Sequence, residues 1–442
     1  IAGVTLPAAA SVAAADDAPD QLVMRDGRVL NGKILEETET QIRFKLHSAV
    51  SKVELTYDKS RILAIKRGVN ASGEGAEAEP APQTPKTEPA FRPRQAESGE
   101  KPVVYVVNLK GWIGQEVTAT PLREVMTDAR RRNPDVLVFV LDNTWEDYFG
   151  EEFPEDQVHA FDQLFAVEEF DPILTREVEL TWEKQPRRVA WVKQAMGGGA
   201  FVPFLFPEIY FHPDGRMGGI GSLSTQFTQG DRRAIEKQIS LRLGHAEGMA
   251  ISGGYEPKLI RAMAMMEYEL SYSLDGGRPV YHERVAKNPG EFTLTDNGFE
   301  NPDSLDARVR GESNDVLTLK ADTARNLGVS RGTVRTLDDL LFELGLRDAE
   351  VIEGPADRIL TRWADGVRQS SKDIPRLMRE FQEIALQGDA REIRRALGLR
   401  RGKLRELERI LRRYHEALPY AANLEAWIAR MEEQIRLMQM QL

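Results

Sequence analysis

The chain has 442 residues, 41% of them hydrophobic, and a net charge of −11. This content suffices for two or three domains with at least one large core, and it excludes a disordered protein. The acidic balance argues against nucleic-acid binding, which needs a basic surface. With no cysteine and six scattered histidines, the sequence excludes thiol catalysis, disulfides and thiolate metal sites, and we predict no metal and no cofactor.

The N-terminal residues 1–20 have the composition of a leader. The first fifteen are small and mostly apolar, and an alanine run precedes Asp16 and Asp17. This pattern is typical of the end of a secretory signal peptide cleaved after Ala13 or Ala15, and a flexible alanine-rich terminus is the alternative. No later run reaches the ~18 apolar residues of a membrane span. We therefore expect an extracytoplasmic protein, either periplasmic or secreted.

A small β domain and a linker are predicted next. Residues 21–69 contain short alternating runs, and Asp26-Gly27 between two of them is a hairpin signal. They predict an SH3-like barrel or curled sheet. Residues 70–101 are rich in Pro, Glu and Ala with hardly an aromatic, which predicts a disordered linker.

Apolar strands then alternate with helices over residues 102–350. VVYVVNL and DVLVFVLD predict buried strands on either side of an amphipathic helix, ATPLREVMTDARRRN. Further helices are predicted near residues 231–245 and 256–269. Such alternation indicates βαβ units around a mainly parallel sheet, which is an α/β fold.

The stretch from residue 187 to 222 predicts the functional site. Residues 189–192 predict a buried strand, 200–206 an apolar helix and 208–212 a returning strand. Between the first strand and the helix, Gly197, Gly198 and Gly199 allow a sharp bend with backbone amides open to a ligand.

Three separated segments resemble the ClpP/crotonase superfamily, and within it the NfeD-type, membrane-associated ClpP-class serine proteases. They are the glycine turn with its flanking strands, VVNLKGWIG at residues 106–114, and LTLKADTARNLGVSRGTVRTLDDLLFELGL at residues 317–346. The resemblance implies a ClpP/crotonase-like spiral of βαβ units. It also implies self-assembly, because domains of this family oligomerise.

The same resemblance implies a serine nucleophile, a lysine base and oxyanion-binding glycines, and the sequence departs from all three. Gly197 stands at the nucleophile position, and the region of the base, residues 241–255, contains His245 but no lysine. A surface or helix-capping histidine is the alternative for His245. The second strand ends in Asn143 and Thr144 instead of glycines. We therefore predict no catalytic residue, and a ligand site formed by Gly197, Gly198, Gly199, Asn143 and Thr144.

These departures favour an exported, inactive homologue that binds a peptide by strand addition or serves assembly. One rival is an active serine endopeptidase with a relocated nucleophile, for which Ser222 is the candidate. Another is a crotonase-type acyl-thioester enzyme, since AMGGGAF also resembles the enoyl-CoA hydratase turn, but Phe201 stands at that family's glutamate. The third rival is a purely structural protein of the envelope. Expected partners are a peptide or protein ligand, further copies of the chain and, peripherally, membrane proteins, without a transmembrane span.

Residues 351–442 predict a helical arm, because apolar side chains recur every three or four residues in a pattern typical of a helical hairpin or short coiled coil. Within it, residues 391–413 hold ten Lys or Arg against three Glu. Residues 146–183 hold thirteen carboxylates and one arginine, which is typical of a solvated acidic helix or of a docking surface for a basic partner or divalent cations. One hypothesis is that these two segments pair, in cis or between subunits.

Overall fold

A computed structural model describes most of the chain. The described residues are 20–24, 29–38, 41–46, 54–59, 62–66, 101–143, 164–219, 223, 231–298, 302–304, 307, 312 and 314–442. The chain divides into two compact units, residues 1–90 and 91–442. The predictions for the leader, the Asp26-Gly27 turn, the linker up to residue 100, Thr144 and Ser222 lie outside the described residues. The finer domain boundaries stay predictions.

The first unit contains a five-stranded antiparallel sheet with the strand order β4-β3-β2-β1-β5. Alternation along the third strand buries Ile42 and Phe44 completely. An SH3-like topology stays a prediction. The strands are β1 (Asp20–Met24), β2 (Val29–Glu37), β3 (Gln41–Leu46), β4 (Glu54–Asp58) and β5 (Ile62–Lys66).

The second unit is built on a seven-stranded sheet with the order β13-β9-β8-β7-β6-β15, in which β14 also pairs with β9. The four central strands, β6 to β9, run parallel. A separate three-stranded antiparallel sheet has the order β11-β10-β12. The strands are β6 (Val103–Leu109), β7 (Val136–Asn143), β8 (Arg187–Met196), β9 (Glu208–Gly218), β10 (Leu270–Asp275), β11 (Arg278–His282), β12 (Glu291–Thr295), β13 (Thr318–Lys320), β14 (Gly332–Thr333) and β15 (Glu350–Ile352).

Helices cover both faces of the large sheet. A 3₁₀-helix, Gly197–Leu205, joins β8 to β9, and a short one, His415–Ala417, follows α9. None of the helices among the described residues is long and apolar enough to cross a membrane. The α-helices are α1 (Ala119–Arg132), α2 (Leu164–Leu174), α3 (Arg176–Thr181), α4 (Arg232–Gly253), α5 (Pro257–Ala264), α6 (Ala321–Asn326), α7 (Leu337–Glu343), α8 (Pro355–Glu383), α9 (Ala390–Tyr414) and α10 (Ala421–Gln441).

The central strands are buried on both faces, as expected for parallel sheets covered by helices. On β6, Tyr105 and Val107 belong to one core, while Val104 and Val106 belong to the core on the opposite face. The predicted parallel α/β fold is thereby confirmed.

The helical arm is larger than the predicted hairpin. Helices α9 and α10 correspond to that hairpin, and the long helix α8 precedes them. All three share one apolar core, which includes Trp363, Leu404 and Ile428. Helix α8 also packs on α1 and β6. Within the basic segment 391–413, Lys403 pairs with Glu380 of the arm at 2.7 Å, and no ion pair among the described residues joins this segment to residues 164–183, so the cis pairing is not observed there.

Several predicted elements have different bounds. The helix predicted near residues 231–245 extends to Gly253, and the one predicted over residues 200–206 is the 3₁₀-helix Gly197–Leu205. The returning strand β9 continues past residue 212 to Gly218 because a register shift opposite residues 192–194 accommodates the segment that contains Pro213, which has no N–H to donate. The helix predicted over residues 256–269 is shorter, since α5 ends at Ala264 and the chain enters β10 at Leu270.

Candidate functional site

The glycine turn follows β8 directly. Gly197 has φ +57°, in the left-handed region that favours glycine. All three glycines are buried, and they form the first turn of the 3₁₀-helix, where backbone N–H groups have no intrahelical acceptor. Met196 provides no side-chain cap, and no loop or cap carbonyl among the described residues accepts from the amides of Gly197 and Gly198. As the first donors of a helix, these two amides are the ones that a ligand can use.

Aromatic side chains hold the 3₁₀-helix in place. The rings of Phe139 and Phe206 lie 4.9 Å apart, and Phe204 meets the edge of Tyr255 at 5.5 Å. The Tyr255 hydroxyl donates to the Phe206 carbonyl at 2.7 Å. Burial raises the pKa of Tyr255, so this hydroxyl stays protonated and keeps its hydrogen bond.

Asn143 lies beside the glycine turn. It is the last residue of β7 and pairs in register with Ala195, two residues before Gly197. Its side chain is completely buried, and Nδ2 donates to the Gly111 carbonyl at 2.6 Å. Its Oδ1 is buried and has no partner in the described part of the chain. A buried acceptor without a partner is costly unless a ligand supplies a donor.

The turn that accepts this hydrogen bond is built around Glu116. Its Oε2 accepts from the Trp112 amide at 3.1 Å, and its Oε1 accepts from Arg368 Nε, on α8, at 2.6 Å. A Cβ at Gly111 would collide with the Glu116 carboxylate. The arm thus fixes the turn on which the Asn143 side chain rests.

His245 lies on α4, and its Nδ1 is 2.8 Å from Oε1 of Glu168 on α2. Helices α2 and α4 both pack against the 3₁₀-helix. The imidazole is half-exposed, with 52% of its side-chain surface accessible. A histidine–carboxylate pair fixes the orientation of the imidazole ring. No described hydroxyl is hydrogen-bonded to His245, so the pair lacks a nucleophile in the described residues.

Sequence reasoning identified Gly197, Asn143 and His245 but missed their partners Gly111 and Glu168. The apolar strand followed by Gly111-Trp112 is a turn signal that could have indicated the first. No sequence signal links Glu168 to His245, because the two residues are 77 positions apart.

The described residues contain no group of three or more histidine, aspartate or glutamate side chains arranged to hold a metal ion. The predicted ligand role of Gly198, Gly199 and Asn143 stays a prediction. Thr144 and Ser222 lie outside the described residues.

No protein-family profile matches the chain. Membrane protein NfeD1b of Bacillus subtilis is 25% identical over 253 residues, which are 57% of this chain and 43% of that protein. The chain thus spans less than half the length of this curated relative.

Three solved structures are similar at low scores. A lysine-to-alanine mutant of a membrane-bound stomatin-specific protease in complex with a substrate peptide is 13% identical over 60% of this chain and 99% of that chain, with a TM-score of 0.34. A serine-to-alanine mutant of that protease is 13% identical, over 57% and 97% of the two chains, with a TM-score of 0.31. A putative enoyl-CoA hydratase/isomerase from Bordetella parapertussis is 12% identical, over 74% and 95%, with a TM-score of 0.26. Similarity at these scores does not define a common function.

The sequence match to NfeD1b covers more than half of the chain. The parallel strands β6 to β9, with the glycine turn between the last two, are the expected scaffold. The central part of this chain is therefore similar to an NfeD-type membrane protein over 253 residues, and it has the parallel α/β sheet and glycine turn that this resemblance implies.

Proposed function

We propose that the central domain binds an extended peptide beside the glycine turn and does not cleave it. The observation that carries the proposal is the conformation of Gly197, with φ +57° at the position where the family resemblance implies a nucleophile. Glycine has no hydroxyl, and an L-residue in this backbone region costs about 1–2 kcal/mol. The turn is therefore suited to glycine and not to a reactive side chain.

The polar groups at the turn suit the main chain of a peptide. The amides of Gly197 and Gly198 are the first donors of the 3₁₀-helix and have no described loop or cap acceptor, and Asn143 Oδ1 is a buried acceptor without a described donor. A peptide backbone supplies carbonyls and N–H groups in the same strand. Strand addition uses such bonds for affinity and needs no nucleophile.

The proposed function also includes the location and the partners of the protein. The alanine-rich residues 1–15 support export, and the name of the relative, membrane protein NfeD1b, supports a membrane-protein partner. The family resemblance supports oligomers. The ligand is then a peptide segment of an extracytoplasmic or membrane protein.

The test combines binding with turnover. Purified full-length chain is titrated against a library of fluorescent extended peptides, and the same preparation is assayed with casein and a fluorophosphonate probe. We expect saturable binding, no probe labelling and no casein cleavage. Asn143→Ala should weaken binding, whereas Asn326→Ala, at an exposed position on α6, should not. Casein cleavage, probe labelling or the absence of saturable peptide binding would each refute the proposal.

A second candidate function is hydrolysis with His245 as general base, and the 2.8 Å contact to Glu168 favours it. The carboxylate would hold the imidazole while the ring takes a proton from a nucleophile. Serine labelling or casein cleavage that is lost in His245→Ala and reduced in Glu168→Gln would establish this function in place of peptide binding.

A further inference from the structure

The outer face of α9 carries an unusual series of residues. Positions 391, 395, 398, 402, 405, 409 and 413 are separated by three or four residues, so they share one face of the helix over about 33 Å. Five of them are exposed arginines, which we name the basic stripe: Arg391, Arg395, Arg405, Arg409 and Arg413. The opposite face of α9, with Leu397, Leu404 and Leu407, is buried in the core of the arm.

The basic stripe has no carboxylate of its own. Its arginines form no salt bridge with a described carboxylate, and Arg413 lies over the ring of Tyr414 at 5.4 Å. Other basic side chains of α9 are used inside the arm. Lys403 pairs with Glu380 at 2.7 Å, and Arg401 donates to Gln439 at 2.8 Å. Like charges one turn apart destabilise an isolated helix. Repulsion within the basic stripe therefore lowers the stability of the free arm, and an anionic partner would remove this repulsion.

The two remaining positions on this face are Gly398 and Gly402. A Cβ at either would meet no atom within 4 Å, so packing inside the chain does not require a glycine there. Glycine inside a helix lowers its stability relative to alanine. Two open glycines one turn apart form a notch that lets a second polypeptide approach the backbone closely, between arginines on both sides.

The chain itself contains an acidic polypeptide of the required kind. Residues 146–163 hold seven carboxylates and no Lys or Arg, and they lie outside the described residues. Two carboxylates of the adjoining helices are used in their own copy, since Glu168 contacts His245 and Glu177 contacts Arg123. No described carboxylate of the same copy forms an ion pair with the basic stripe, which leaves the stripe open to the acidic segment of a second copy.

We infer that the basic stripe of one copy binds the acidic segment 146–163 of a second copy. The segment begins three residues after Asn143, so the bound arm would lie near the carboxyl end of β7 and the glycine turn of that second copy. A reciprocal exchange of arms gives a closed dimer, whereas a one-way exchange gives open chains. The inference goes beyond the proposed function and does not depend on it.

A charge-swap experiment on the full chain tests this pairing by sedimentation velocity at low and high salt. Wild-type chain should self-associate, with weaker association as salt screens the charges. Arg405→Glu with Arg409→Glu should weaken association about tenfold or more, and so should Glu151→Lys with Glu152→Lys. Combining the four substitutions should restore much of the loss. The control, Arg379→Glu with Arg430→Glu, changes the charge equally on α8 and α10 and should have no effect.

Each of the other outcomes overturns the inference. Association that is unchanged by the stripe substitutions excludes the stripe as an interface. Loss with the stripe substitutions, but neither loss with the acidic ones nor rescue by the combination, means that another anionic surface occupies it. A monomeric chain that binds phosphatidylglycerol vesicles through the basic stripe would assign the stripe to a membrane. Circular dichroism and urea unfolding of each variant separate a lost interface from a lost fold.

Discussion

The loop after β6 and the turn after β8 lie at the same end of a parallel sheet, but they differ in which of their hydrogen-bonding groups have partners. In the loop, the Gln115 carbonyl accepts from Trp363 Nε1 at 3.1 Å and Thr118 Oγ1 donates to Glu416 at 2.6 Å. At the turn, the amides of Gly197 and Gly198 have no described loop or cap acceptor. Because buried polar groups are normally paired, the contrast separates a region that supports the fold from one with capacity for a ligand.

The largest expected effect comes from detaching the arm from the loop. Trp363 is buried between the loop and the arm core, and its ring lies 5.1 Å from that of Tyr414. Trp363→Ala should lower the free energy of unfolding by about 3–5 kcal/mol, because it opens a cavity and leaves the Gln115 carbonyl without its donor. Urea denaturation measures the loss, and hydrogen exchange should increase at residues 110–118.

The matched control is Trp427→Ala. This half-buried side chain packs on Phe381 inside the arm, with ring centroids 5.3 Å apart. We expect a smaller loss of stability and unchanged exchange at residues 110–118. Equal exchange at the loop in both variants would mean that Trp363 does not anchor it.

The next effect concerns the backbone of the glycine turn. Gly197→Ala should destabilise the protein by about 1–2 kcal/mol, because alanine is strained at φ +57°. Gly244→Ala is the control with the opposite sign. Gly244 lies in the interior of α4 with open space at its Cβ, so alanine should stabilise the helix by ~0.5–1 kcal/mol. Thermal unfolding of the two variants measures both changes in stability. If Gly197→Ala leaves the stability unchanged, alanine is not strained at this position.

Local sequence signals predicted the large, mainly parallel sheet of the second unit. Its central strands are buried on both faces and are therefore continuously apolar. The three-stranded sheet β10 to β12 was not predicted, although Asp275-Gly276-Gly277-Arg278 is a hairpin signal that could have revealed it. The extension of β9 beyond residue 212 was missed because His212-Pro213-Asp214-Gly215 is typical of a turn, and only the pairing with β8 turns it into a bulge.

The candidate site was predictable only in part. The positions of Gly197 and Asn143 follow from strand ends and from a glycine run, which are local features. The contact of Glu168 with His245 depends on how α2 and α4 meet over the 3₁₀-helix, and the contact of Thr118 with Glu416 joins residues 298 positions apart. Such contacts are set by packing, which a single sequence does not encode locally.

A smaller effect is expected from the helix cap that the arm gives to α1. Thr118 is the N-cap residue but makes no side-chain cap of its own. Instead, Glu416 accepts from the Thr120 amide at 3.0 Å, near the positive end of the helix dipole. Glu416→Ala should lower the free energy of unfolding by about 1 kcal/mol. The exposed Glu425→Ala should change it little, and equal losses in urea titrations would contradict the capping role.

The smallest effect is electrostatic and has a defined pH dependence. Burial, and then the nearby charge of Glu416, raise the pKa of Glu169. A carboxyl group with a higher pKa in the folded state binds more protons there, so its ionisation lowers stability. The penalty is absent below the pKa of the unfolded chain, grows between the unfolded and folded pKa values, and is complete above the folded value.

Glu169→Gln should therefore stabilise the protein near neutral pH, by only ~0.3 kcal/mol because solvent screens an exposed side chain. The gain should vanish in acid below the ordinary glutamate pKa, where the wild-type side chain is already neutral. It should also shrink in the Glu416→Ala background, since the repelling charge is then gone. Urea unfolding of the four variants at neutral and acidic pH measures both differences. A gain that is independent of pH would show that Glu169 affects stability through packing and not through its charge.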